Sequence, residues 1–417
     1  MKNFKDSGIE WLGEIPEHWE VVKINKIVTF VNGYAFENFD FNPIFEIPVI
    51  RIGDMQKEKI LYDNCLKTKE KEKLKQFLIS NNDILIALSG ATTGKIAFCD
   101  TDNKAYINQR VAIVRSKLKL VKYYFLTRGF SLLIELACNG SAQPNISTKE
   151  IGEFKIPLPP LKEQEQIAKF LDEKCEKIAN FIEKKEKLIN LLKEQKQVLI
   201  NETITKGLDK NVNFKDSGIE WLGEIPEHWK LIKCKNFFVL KSIPIGDLWN
   251  KTKLLSLTLN GVIERDINNP EGKFPSDFST YQIVKEGDLI FCLFDVAETP
   301  RIIGLSKLNG MITSAYTIFE IKNQEKRFLE YFFIDLDNRK NLKFLYRGLR
   351  NTISKEDLLN LKIPLPPLKE QEQIANFLDS EISKIDKIIE KIKKQIELIK
   401  EYKTILINQA VCGRISL

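Results

Sequence analysis

Residues 3–19, NFKDSGIEWLGEIPEHW, return letter for letter at 213–229. A second block, KIPLPPLKEQEQIA, stands at 155–168 and again at 362–375. The chain is therefore two copies of one plan: a leading segment, a variable stretch, and a helix opened by Pro-Pro. The copies are offset by 210 at the first block (213 against 3) and by 207 at the second (362 against 155). That is far longer than a solenoid unit, so a whole domain is duplicated. The variable stretches have diverged, IPVIRIGDMQKEKI (47–60) facing KLLSLTLNGVIERD (253–266). A constant frame around diverged inserts predicts one scaffold presenting two recognition surfaces. Two equivalent catalytic sites would keep their inserts alike.

The 417 residues suffice for two ordinary cores. No apolar run approaches the roughly 18 residues of a membrane span. MKNFKDSGIEWLGEIPEHW mixes charges with aromatics and lacks the apolar centre of a signal peptide. Seven cysteines (65, 99, 138, 175, 234, 292, 412) show no CxxC and read as reduced thiols of a cytoplasmic protein. The net charge of +7 leans toward a nucleic-acid partner, although lysine-rich usage alone gives a similar figure.

After Pro159-Pro160, apolar residues step by three and four through Leu171, Cys175, Ile178, Ile182, Ile189 and Leu192. After Pro366-Pro367 the seam is stronger: Leu378, Ile382, Ile385, Ile389, Ile392 and Ile396. Gln164, Lys185 and Lys196 fill the first seam, and Gln371 and Lys403 the second. Sustained heptad spacing with charged flanks predicts coiled coil. Each helix would run roughly 65–70 Å at 1.5 Å per residue, too long to brace only its own domain. Each would find the other as an antiparallel partner. Proline is tolerated in a first helical turn, and Gly207 and Gly413 mark the ends.

Between these frames the period shortens. DILIALSG (83–90), KIAFCD (95–100) and AYINQRVAIVRS (105–116) read as strands, as do DLIFCLFD (288–295), RIIGLS (301–306) and ITSAYTIFEI (312–321). Helical patterns follow near 119–137 and 325–345. The predicted fold class is α+β: two similar globular α+β domains joined by two long helices in an antiparallel coiled coil. The predicted divisions are 1–157, 158–207, 208–364 and 365–417.

Catalytic candidates are few. His18 and His228 are the only histidines and sit beside Trp19 and Trp229, which suits packing or hydrogen bonding. No Ser/His/Asp set assembles within one variable stretch, and no metal-ligand spacing exists. Gly90-Ala-Thr-Thr-Gly94-Lys95 is one residue short of a P-loop, with Ile96 where a hydroxyl is needed. Asn42-Pro43-Ile44-Phe45 approaches the Asn-Pro-Pro-Phe/Tyr signature of amino-methyltransferases, but Ile44 replaces a proline and no FxGxG loop precedes it. It reads as a surface turn. The polar-basic turns offer Ser89, Thr92, Thr93, Lys95, Asn108, Gln109 and Arg110 in the first copy, and Arg301, Thr313, Ser314 and Tyr316 in the second. Arginine, asparagine and glutamine suit base edges, while lysine and threonine suit phosphates.

The frame GIEWLGEIPEHW (8–19, 218–229) with IPLPPLKEQEQI (from 156 and 363) resembles the specificity subunits of type I restriction–modification systems. The resemblance covers the whole chain; the variable stretches depart from it and leave the base-reading residues open. It implies two target-recognition domains, each reading half of an asymmetric bipartite site on double-stranded DNA, with the coil setting the spacer. It implies a non-catalytic, cytoplasmic chain that binds no cofactor or metal. S-adenosylmethionine, ATP and Mg2+ would sit on partners: two modification subunits that methylate adenine and two restriction/translocase subunits. The competing reading is a coiled-coil scaffold with two protein-interaction domains and no DNA contact. An orphan methyltransferase fails for want of a cofactor loop.

Overall fold

Prolines start both long helices. A computed structural model describes residues 3–56, 58–100, 102–138, 144–266 and 277–415. The helices are α1 (Val121–Phe125), α2 (Arg128–Ala137), α3 (Thr148–Glu153), α4 (Leu161–Lys206), α5 (Lys326–Asn338), α6 (Lys355–Asn360) and α7 (Leu368–Val411). The chain divides into two compact units, Met1–Lys185 with Lys393–Leu417, and Glu186–Ile392. Each unit therefore combines one variable stretch, the start of its own long helix and the end of the other.

In the first unit a four-stranded antiparallel sheet runs in the order Ile96–Phe98, Ile84–Ala87, Val111–Arg115, Thr29–Asn32. All four residues of Ile84–Ala87 are buried, Ile84 and Ile86 in one core and Leu85 in another, so both faces of this central strand are covered. A three-stranded sheet lies beside it, Tyr106–Ile107 parallel to Ile47–Ile50 and Leu66–Thr68 antiparallel to the same strand. Lys155–Leu158 pairs with Glu20–Lys23 and so ties the leading segment to the approach of α4.

The second unit repeats the first sheet in the same order: Ile303–Leu305, Leu289–Phe291, Thr317–Ile321, Phe238–Lys241. Its other sheet differs, with four strands ordered Gly261–Arg265, Leu254–Thr258, Gly310–Ile312, Gln282–Val284. Lys362–Leu365 pairs with Lys230–Lys233. Ser147 caps α3 by accepting from the Glu150 N–H, and Ser354 caps α6 by accepting from the Asp357 N–H.

Within the first unit Ile167 and Leu171 of α4 share a core with Leu406, Ile407, Ala410 and Val411 of α7. Within the second, Ile200 and Ile204 share a core with Ile374, Leu378 and Ile382. The pairing there is antiparallel: Lys196 meets Asp386 at 2.8 Å, while Gly207, further along α4, lies beside Glu370 near the start of α7. Leu171, Ile178, Ile189, Leu378, Ile382, Ile385, Ile389, Ile392 and Ile396 are buried; Ile182 and Leu192 are half-buried. Gly207 (φ +76°) and Gly413 (φ +72°) close the helices in the left-handed conformation that glycine adopts without strain. No helix among the described residues is long and apolar enough to cross a membrane.

Candidate nucleic-acid interface

The repeated leading segments form the base on which each variable head stands. Trp19 is 1 % exposed and donates its indole N–H to Glu163 at 3.1 Å, while His18 Nε2 meets the same carboxylate at 2.7 Å. Trp229 and His228 hold Glu370 in the same way, at 3.0 and 2.8 Å. One glutamate in the first turn of each long helix thus carries two neighbouring side chains, where it also complements the helix dipole. Trp11 lies flat on Gly129 of α2, where a Cβ would fall 1.9 Å from the ring. Arg414, just past α7, donates to the Leu12 carbonyl at 3.0 Å. Both histidines serve this junction.

Above the first base, Ser89, Gln109 and Arg110 line one cleft of about 710 Å³ together with Asn32, Gly90, Pro144 and Asn145. Two loops make it. The turn after Ile84–Ala87 is stitched to the approach of α3 by Gly90 N–H donating to Pro144 O (2.8 Å) and Ile146 N–H donating to Leu88 O (2.9 Å). Gly90 sits at φ +80°. Thr93 is spent inside this stitch, its hydroxyl donating to Gly90 O at 2.7 Å and standing 3.0 Å from Pro144 O. The buried hydroxyl oxygens of Ser89 and Thr92 have no protein partner among the described residues. Asn108 is tied through its backbone to Ile50 and Val111, while Gln109 and Arg110 beside it are exposed. Lys95 is half-buried at the start of the next strand. Gly90–Lys95 is therefore a hairpin turn between antiparallel strands, and Asn42–Phe45 is a turn in which Asn42 Oδ1 accepts from Ile44 N–H.

The second unit builds the corresponding place differently. Ile353 N–H donates to Leu293 O (2.9 Å) and Asp295 N–H to Arg350 O (2.8 Å), the same stitch between the same two loops. Asp295 occupies the left-handed position (φ +47°) that Gly90 fills in the first unit. Its carboxylate takes the Arg350 guanidinium through Nε at 2.9 Å and through Nη2, which holds its pKa below the ordinary value. Arg350 lies 5.7 Å from the centre of the Phe294 ring, and Phe294 stacks on Tyr316 at 6.1 Å and 16°. Burial raises the Tyr316 hydroxyl pKa. Thr313 and Ser314 form the turn leading to Tyr316, Ser314 exposed and Thr313 half-buried. Arg301 is half-buried at the neighbouring strand's start. Sequence reasoning missed Asp295, read only as the end of the strand 288–295, and Leu349 and Arg350, whose only signal was an arginine-rich turn before α6.

Burial pushes the Cys65 and Cys99 thiols up to about 12, so neither is a nucleophile at neutral pH. Among the described residues no group of three His, Cys, Asp or Glu side chains is arranged to hold a metal ion.

Residues 16–198 and 311–398 match the model of the type I restriction modification DNA specificity domain. Two relatives come from Methanocaldococcus jannaschii. The type I restriction enzyme MjaVIII specificity subunit is 28% identical, covering 96% of this chain and 94% of its own length. The putative type I restriction enzyme MjaX specificity subunit is 29% identical, covering 99% and 97%. Among solved structures, a chain from a study of assembly and conformational transition of the type I R-M system superposes with TM-score 0.68 at 15% identity, covering 96% of this chain and 99% of that one. The HsdS subunit of Thermoanaerobacter tengcongensis gives 0.51 at 15% identity, covering 96% and 98%. With the family model spanning most of the sequence and the duplicated frame in place, this chain belongs to the type I restriction modification DNA specificity family.

Proposed function

We propose that the chain reads a bipartite DNA site, one half with each head, for partner subunits that carry out the chemistry. The observation that carries this is the contrast between a frame repeated to the side-chain hydrogen bond and two heads whose loop clusters differ residue by residue. Residues 1–157 and 208–364 act as the reading domains, and the helical segments 158–207 and 365–417 set the distance between half-sites. In the first head Gln109 and Arg110, exposed at a cleft rim, read base edges, and Ser89 lines the cleft beside them. In the second, Arg301, Ser314 and Tyr316 take the corresponding part.

Modification subunits bring S-adenosylmethionine and methylate adenine; restriction/translocase subunits bring ATP and Mg2+. Two of each complete the complex, and the specificity chain itself catalyses nothing. A protein-only scaffold would give no reason for two heads on one frame to diverge in their loops.

The test replaces residues 20–150 with the stretch from another family member and maps methylated adenines in cells carrying the intact system. One half-site should change and the other stay. A change in both halves, or in neither, sinks the proposal. Binding by the assembled complex should also weaken steeply with salt, since neutralised phosphates release counterions.

A further inference from the structure

Residues 339–350, RKNLKFLYRGLR, hold five cations and no acid. The end of this run is a tight turn. Arg347 and Thr352 exchange two backbone hydrogen bonds, at 2.8 and 3.0 Å, across Gly348, Leu349, Arg350 and Asn351. Gly348 (φ +65°) and Asn351 (φ +45°) are both left-handed. At the tip stands Leu349, 104% exposed, the most exposed of the large apolar side chains described.

A single exposed leucine is ordinary on a protein surface. This one is set apart by how firmly it is presented. Asp295 N–H and Val296 N–H donate to the carbonyls of Arg350 and Asn351, pinning the turn to the loop that carries the candidate base-reading face. The flanking arginines are held too, Arg350 by Asp295 and Arg347 by Asp357 at 2.6 Å. Lys340 and Arg339 lean on Asp337 and Asp335 further down. These carboxylates lie on other elements, and one more acid stands beside the turn, Glu298, which accepts from Asn351 Nδ2 at 3.3 Å; Leu349 at the tip is flanked by Arg347 and Arg350. Each guanidinium has five N–H donors and spends only one or two on its aspartate, leaving others for phosphate. The turn's conformational entropy is already lost in the free protein, which favours binding by that amount.

We propose that Leu349 is a wedge: it presses into the base stack of the half-site read by the second head, with Arg347 and Arg350 gripping the phosphates on either side. This rests on the reading of the chain as a DNA specificity subunit. An apolar side chain inserted at a base step trades unstacking for burial and a deformed duplex, and it selects flexible steps without a hydrogen bond to any base. It gives the second head a source of specificity separate from direct readout by Arg301 and Tyr316.

The test uses the assembled complex of this chain with its modification subunits, on the duplex that methylation mapping identifies. 2-Aminopurine replaces in turn each adenine, on either strand, of both half-sites and their flanking base pairs, leaving the methylated adenines unchanged. The wild type should brighten one step in the second half-site. Leu349→Ala should abolish that signal and lower specific affinity about tenfold, with the salt dependence unchanged; Leu349→Met should keep both. An exposed tip costs no folding stability, so the melting temperature should hold. Wild-type binding and unstacking by Leu349→Ala would overturn the wedge while leaving the DNA reading intact. Weakened assembly with the modification subunits would overturn it in favour of a protein contact. Absence of salt-dependent DNA binding by the wild type would overturn both.

Discussion

The two units share a base and a central sheet but part company above it. Strand order in the first sheet is identical, and the buried aspartate that opens its second strand recurs as Asp83 and Asp288. Even here the cation differs: Arg115 grips Asp83 at 2.9 Å, whereas Lys241, from another strand, pairs with Asp288. At the rim one left-handed turn is filled by Gly90 in one unit and by Asp295 with its arginine in the other. Backbone geometry is thus held while the chemistry at the same point changes from none to a charged clamp. A scaffold that preserves loop position and lets side chains vary can acquire a new specificity without refolding.

If the bases are equivalent, removing the same tryptophan from each should cost the same. Trp19→Ala and Trp229→Ala each empty a fully buried site and strip Glu163 or Glu370 of a donor, a loss of about 3–5 kcal/mol. Hydrogen exchange of core amides in each unit measures this separately. Losses differing by more than about 2 kcal/mol would break the equivalence.

The helix ends should not behave alike. A Cβ at Gly413 would lie 2.5 Å from Pro16 Cδ, a rigid neighbour, on top of its positive φ. At Gly207 the nearest atom is Glu370 Oε1 at 3.1 Å. Gly413→Ala should therefore cost about 3 kcal/mol and Gly207→Ala about 1–2 kcal/mol, seen as unequal shifts in urea midpoint.

Gln164 and Gln371 are the same residue of the repeat in different company. Gln371 donates to Gln324 Oε1 and Pro366 O, and accepts from the Glu325 N–H at 3.0 Å. Gln164 donates to Pro159 O at 2.7 Å, but its buried Oε1 has no partner among the described residues. Gln371→Met should cost about 2 kcal/mol by stranding the Glu325 N–H. Gln164→Met should lie within about 1 kcal/mol of neutral, because it also removes an unsatisfied oxygen. Equal costs would mean that the two helix starts are occupied alike.

Much of this could be read in the sequence, for physical reasons that also explain what could not. The seam from Leu378 to Ile396 was legible because helix packing imposes its period over many turns. The polar turn at Gln109 and Arg110 was legible because strand ends demand such residues. Thr93 looked equally available for DNA, yet its hydroxyl donates to Gly90 O and is enclosed by Pro144 O, 51 residues away. The second sheets were opaque: AYINQRVAIVRS reads as one strand, yet Tyr106–Ile107 pairs in the second sheet and Val111–Arg115 in the first, because so short a strand carries no period of its own and its pairing is non-local. Leu349 was opaque for the opposite reason: nothing in its neighbours distinguishes an exposed tip from a buried staple.

The smallest expected effect separates the units electrostatically. Glu330 on α5 is pushed above the ordinary carboxylate pKa by burial, against the N–H of Leu305 that it accepts at 3.0 Å and the lowering influence of Lys307 and Arg301; Asp379 adds to the rise. In the first unit α1, VKYYF, has no acid at all. Because the folded-state pKa exceeds the unfolded one, the ionised carboxylate penalises the second unit at neutral pH. That penalty falls away as pH drops through the folded value. Glu330→Gln keeps an acceptor for Leu305 and removes the charge. It should stabilise the second unit by a fraction of a kcal/mol up to about 1 kcal/mol at pH 7–8, with the gain shrinking as pH falls toward the ordinary glutamate range. The first unit should not respond. A gain that grows on acidification would reverse the sign and show that Lys307 and Arg301, rather than burial, govern this side chain.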